Sequence, residues 1–154
     1  MKPLRADKFA DAAMSRFESE WDDLVQLMEE MMPQDLPDAA FTVLLLQTAL
    51  AAGLLFPHGR PKAPVQHRRL GFYLALETQQ IMAVAATNDD EETGGDALEE
   101  YSRVSPQPEL AHTLCGQIMG LSDPTTGYLE DGQVSLLMPA LKAIVRELCM
   151  LPPR

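Results

Sequence analysis

Residues 39–56, AAFTVLLLQTALAAGLLF, run for eighteen residues without a charge. A helix of that length reaches about 27 Å, slightly short of a hydrocarbon layer of about 30 Å. Five of the eighteen residues are alanine, and Thr42, Gln47, Thr48 and Gly53 interrupt the apolar surface. The rest of the chain supplies four further segments whose apolar residues recur at helical spacing. Each of those stripes needs a partner, and a helix apolar on most sides can be surrounded by them. The sequence therefore predicts an all-α protein, a compact bundle of five to six helices around a central apolar helix at about 38–56. Gln47 is then expected inside, satisfied by a neighbouring group.

The flanking segments read as follows. From Pro3 to Met32, the residues Phe9, Ala13, Phe17, Trp21, Leu24, Met28 and Met31 share one face at 100° per residue, predicting one long amphipathic helix. Asp35 and Pro37 supply start signals for the 37–56 helix, and FPHGRPKAP ends it. A third helix is predicted over 64–88 and a fourth over 107–121. A fifth carries Val134, Leu137, Leu141, Ile144, Val145 and Leu148, with Pro139 either kinking it or marking its true start. Between the third and fourth lies NDDEETGGDALEE, with seven carboxylates and no cation. Its composition predicts a mobile acidic loop over 88–106, with a short helical turn near 96–101. All 154 residues are read as a single domain. Sparse aromatics (6%) and nine methionines fit a core of Leu, Ala and Met, residues that favour helices over strands.

Charge narrows the function classes. The formal net charge is −11, so phosphate is repelled; neither direct nucleic-acid binding nor attachment to an anionic membrane is expected. A basic protein partner is favoured. The signs are also segregated. Residues 1–38 hold four cations and ten carboxylates, residues 89–102 seven carboxylates and no cation, and residues 57–88 four cations and one carboxylate. A surface that is merely soluble more often intersperses them. Two cysteines, Cys115 and Cys149, are too few for a disulfide framework and read as buried thiols. The opening MKPLRADKFADAAM has no continuous apolar signal region, and the expected location is the cytoplasm.

Catalytic signatures are missing from the sequence. There is no HExxH, paired CxxC, GxSxG or glycine-rich phosphate loop, so no metal and no cofactor is expected. His58 and His67 flank a cationic loop and read as solvent histidines. Gly116 and Gly120, four apart, read as exposed glycines.

Three features are candidate sites. Asp11, Glu18, Asp22 and Glu29 fall on one line of the first helix with nothing basic among them; with Asp89, Asp90, Glu91 and Glu92 of the acidic loop they form the expected partner-binding set. Glu77 lies within the apolar stripe of Leu70, Tyr73, Leu74, Ile81 and Val84. It is read either as an internal ion pair with Arg16, Arg69 or Arg146, or as the polar group of a ligand pocket with Tyr73 and Gln47. The basic run HGRPKAPVQHRR either docks on the protein's own carboxylates or holds an anion, and self-docking is the better fit to the anionic excess.

Two classes of function follow. One is a non-enzymatic interaction protein of the inhibitor, immunity or adaptor type, whose acidic face binds a basic partner and masks a nucleic-acid-binding surface. The other is a helical bundle holding a small apolar ligand in a Met/Leu-lined pocket at Glu77. An assembly or secretion adaptor is a third reading, and its mark would be an exposed apolar patch.

Overall fold

The computed structural model describes residues 12, 14–86, 100–121, 129 and 131–151. These are helical, and no strand occurs among them. A helical segment at 14–20 leads into α1 (Asp22–Met31). α2 spans Asp38–Leu55, α3 His67–Ala86, α4 Pro108–Gly120 and α5 Asp131–Met150. A short helical turn at 100–103 precedes α4. Asp11 and the carboxylates at 89–92 lie outside the described residues, as does most of the acidic loop expected at 88–106.

The all-α bundle is as the periodicity predicts, but its central helix is not the uncharged one. α5 packs most extensively on α3, then on α2, then on α4. From Leu137 to Leu148 every residue except Arg146 is buried. α2 is buried on one face, through Ala40, Val43, Leu44, Gln47, Thr48 and Ala51. Its other face is open, with Leu50 42% and Leu54 68% exposed. Lack of charge permits burial without enforcing it, because folded proteins leave much apolar surface in water. α5 reaches the centre because its charges at 142, 146 and 147 meet charges from α3, as described below.

Local corrections have local causes. The long first helix is interrupted at Trp21, whose backbone leaves the helical region (φ −118°, ψ 37°). The α-type bonds Trp21 N–H to Phe17 O (2.8 Å) and Val25 N–H to Trp21 O (3.0 Å) bridge the interruption, so the two segments keep one face. Leu24 N–H donates instead to Asp23 Oδ1 (2.9 Å), and Glu20 O accepts from Arg60 Nη1 (3.0 Å). α2 starts after Pro37 with no side-chain cap, so Asp35 does not serve as one. α5 runs through Pro139, which therefore does not mark its start. The missing N–H at 139 withdraws a partner from the Ser135 carbonyl one turn earlier.

Gly59 adopts φ 102°, a left-handed conformation that residues with a Cβ rarely take. Its N–H closes on Phe56 O (3.1 Å), reversing the chain after α2. That turn delivers Arg60 onto Trp21, with the guanidinium carbon 4.6 Å from the ring centroid.

Candidate functional site

Among the described residues, Asp23, Glu147, Glu20 and Glu77 are carboxylates tied to the chain's own cations. Arg60 grips Asp23 with both terminal nitrogens (2.5 and 2.6 Å), and Asp23 Oδ2 also accepts from Val65 N–H (3.4 Å). Arg69 grips Glu147 in the same forked manner (2.6 and 2.7 Å), while Gln66 N–H donates to Glu147 Oε1 (3.1 Å). The carboxylate of α5 thus occupies the start of α3, where free N–H groups favour an anion. The basic segment is self-docked through Arg60 and Arg69, and the place where a bound anion was conceivable is filled by Glu147. Exposed Arg16 pairs with Glu20 one turn on (3.0 Å).

The fourth carboxylate, Glu77, is fully buried and answers the question its sequence position raises. Arg146 Nε donates to Oε1 (2.7 Å), and Lys142 Nζ lies 3.0 Å from Oε2. The Lys142 contact is an ion pair outside good hydrogen-bond alignment, since Oε2 has no aligned donor. Lys142 is itself 0% exposed. Its ammonium donates to Tyr101 O (2.5 Å) and sits 3.5 Å from the Tyr101 ring centroid. Tyr101 O–H reaches back to Glu77 O (3.4 Å). Burial pulls the Lys142 pKa below its ordinary value, opposed by Glu77. Burial also raises the Tyr101 hydroxyl and pushes the Cys115 thiol up to about 12, so neither is a ready nucleophile. The turn at 100–103 is further fastened by Ser102 Oγ, 2.9 Å from His112 Nδ1. Ser102 is fully buried, which withholds this Ser–His pair from any substrate.

Glu77 is therefore an internal ion-pair hub, with the Arg146 partner the sequence allows. Arg16 and Arg69 are engaged elsewhere. Gln47, expected in one ligand pocket with Tyr73 and Glu77, stands on a different helix from them. Gln47 sits on α2 and the other two on α3, and both helices pack chiefly on α5 rather than on each other. Neither cavity described here is lined by these residues. Gln47 is buried as expected, but its Oε1 finds no hydrogen-bond partner among the described residues, because its stripe mates Val43, Leu44 and Ala51 offer no donor. Tyr73 is half-buried, edge-on to Phe72 at 6.0 Å. Lys142, Glu147 and Asp23 are the structural charges that sequence reasoning misses. A carboxylate in the Glu77 stripe was a signal that cations must be near, and Lys142 stands one turn before Arg146.

Of the expected partner-binding row, Glu18, Asp22 and Glu29 are exposed and share one side of the 14–31 helical run. Asp22 accepts from Gln26 Nε2 (3.1 Å); none of the three makes an ion pair among the described residues. The row ends at a shallow depression of about 260 Å³ between α1 and α2. Met32, Leu36 and Phe41 give it apolar walls, and Glu29 and Asp38 supply its carboxylates. Both cysteines are free; Cys115 is buried as expected, whereas Cys149 is only half-buried. No group of three or more metal-ligating side chains occurs among the described residues.

The Asp23–Arg60 link gives a pH prediction. The hydrogen bond from Arg60 is the main cause holding the Asp23 carboxyl below its ordinary 3.8, against the opposing effect of partial burial. A carboxyl depressed in the fold contributes stability that is present above its unfolded value and is lost as pH falls through the folded one. The urea midpoints of wild type and Asp23→Asn should differ near neutral pH and converge well below 3.8. A gap that persists in strong acid would contradict the assignment.

No family model, curated protein or solved structure matches this chain.

Proposed function

We propose that this is a non-enzymatic acidic interaction protein whose α1 face binds a basic protein partner. The observation that carries this reading is the division of labour among charges. Arg60, Arg69, Lys142 and Arg146 are consumed by Asp23, Glu147 and Glu77, which leaves Glu18, Asp22 and Glu29 on the outside without an ion pair among the described residues. Such a row accelerates encounter with a cationic surface, and the depression at Met32, Leu36 and Phe41 offers a place for an apolar anchor beside it. A cationic surface of this kind is what nucleic-acid-handling proteins present, so occupancy by this protein would exclude the nucleic acid.

The test is affinity capture from the native cell at low salt, with wild type and Asp22→Lys/Glu29→Lys as baits. Wild type should recover basic proteins that the variant loses. Against the recovered partner, the variant's association rate should fall by about tenfold or more at low salt, with a flatter salt dependence. Identical recovery and identical on-rates would end the reading.

A second reading, an assembly or secretion adaptor, is supported by exposed apolar side chains on the outer side of α3. Phe72 and Met82 are each 65% exposed, with Ala75 and Ala83 between and beside them. In the same capture experiment its signature is salt-insensitive recovery that is lost with Phe72→Ser/Met82→Ser and kept with the charge-reversed bait.

A further inference from the structure

A second cavity, separate from the acidic row, opens between the 14–20 segment and the last turns of α2. Its volume is about 430 Å³, within the range of about 300–1,000 Å³ usual for small-molecule sites. On the helical wheel its α1-side residues, Arg16 and Glu20, point away from the direction of Glu18, Asp22 and Glu29. Phe17, Trp21 and Phe56 form its base, the Trp21 and Phe56 rings lying 5.8 Å apart at 35°.

The opposite wall explains why space remains there. α2 is rich in leucine, yet the residues it turns to the cavity are Ala49, Ala52 and Gly53. A Cβ added at Gly53 would meet nothing within 4 Å among the described residues, so this side of α2 faces open space. The charges at the rim are already closed into pairs. Arg16 is joined to Glu20, and Arg60 to Asp23. A charged ligand would have to compete with one of these pairs. An uncharged one covers apolar wall without displacing them.

We propose that this cleft binds a small, uncharged, planar apolar molecule. It lies against half-buried Phe56, beside the almost fully buried Trp21, and against the small-residue wall of α2. The proposal is independent of the acidic face and of its partner.

The chain holds one tryptophan, so its fluorescence reports on this cleft alone. The probe is N-phenyl-1-naphthylamine, an uncharged two-ring dye that accepts energy from tryptophan. Its sulfonated relative, 1-anilinonaphthalene-8-sulfonate, is the charged comparison. The neutral dye should quench Trp21 emission saturably in the full chain and bind about tenfold more tightly than the sulfonate. Gly53→Leu, whose Cβ meets nothing within 4 Å and whose side chain enters the opening, should weaken the neutral dye by about tenfold or more. Ala49→Leu repeats that test from one turn away, should Gly53→Leu lose its helical circular dichroism. Val104→Ser, at an exposed residue just after the 100–103 turn and outside the cleft, should leave affinity unchanged. Absence of quenching, equal affinity for both dyes, retained affinity in the two filling variants, or loss on Val104→Ser would each overturn the proposal.

Discussion

Replacing Glu77 by alanine should lower the unfolding free energy by about 3–5 kcal/mol, the usual cost of breaking a buried ion pair from one side. Lys142 has no exposed surface and would be left beside Arg146 with no counter-charge. Its remaining contacts, the Tyr101 carbonyl and ring, would have to carry an ammonium that burial already disfavours. For a chain of this size, each kcal/mol corresponds to about 2–4 °C in Tm, so the melting point should drop by roughly 10 °C. Urea unfolding followed by circular dichroism measures it, with the m-value checking that the transition stays two-state. A companion variant separates charge from packing. Glu77→Leu/Lys142→Met/Arg146→Met removes all three charges, and should be closer to wild type than Glu77→Ala. If Glu77→Ala unfolds at the wild-type urea concentration, the hub described at the α3–α5 interface does not exist.

The second large effect distinguishes the two apolar helices. Leu141→Ala, in the middle of α5, should cost about 2–5 kcal/mol, through lost transfer energy and the cavity left among helices on several sides. Leu50→Ala, on the open face of α2, should cost less than about 0.5 kcal/mol, as surface substitutions usually do. The same chemical change is made in both, so the difference isolates position. Comparable losses at the two sites would mean that α2, not α5, is the helix the bundle is built around.

How far the fold was legible turns on what each signal can encode. Periodicity found the helices, because a stripe such as Leu110, Leu114 and Ile118 has few other uses. It did not rank them by depth. The run at 39–56 looked central because nothing in it objects to burial, whereas the last helix carries the charges Lys142, Arg146 and Glu147. Their partners, Glu77 and Arg69, lie 65 to 78 positions away in sequence. No local pattern joins residues so far apart. The interruption at Trp21 was hidden for a similar reason, since it depends on Arg60 arriving from a turn that Gly59 sets up. Among the candidate sites, the position of Glu77 in an apolar stripe foretold an internal pair and left its partner open among several arginines. The acidic row was visible in full as spacing, and the structure adds that Glu18, Asp22 and Glu29 make no ion pair among the described residues. The cleft beneath Trp21 was not foreseeable. It is made by small side chains at 49, 52 and 53, which in a linear reading look like ordinary helix formers.

The placement of α5 has a consequence for how the chain comes off the ribosome. The helix that α2, α3 and α4 all pack on is the last of the five to be translated. Glu77 emerges 69 residues ahead of Arg146, an interval of about 3–14 s at ordinary elongation rates of about 5–20 residues/s. Throughout that wait the nascent polypeptide carries an acid with no base to meet it and several greasy helix faces with nothing to close upon. Newly made copies should therefore lean on chaperones until translation passes Leu148, after which the helices already waiting can dock in one concerted step.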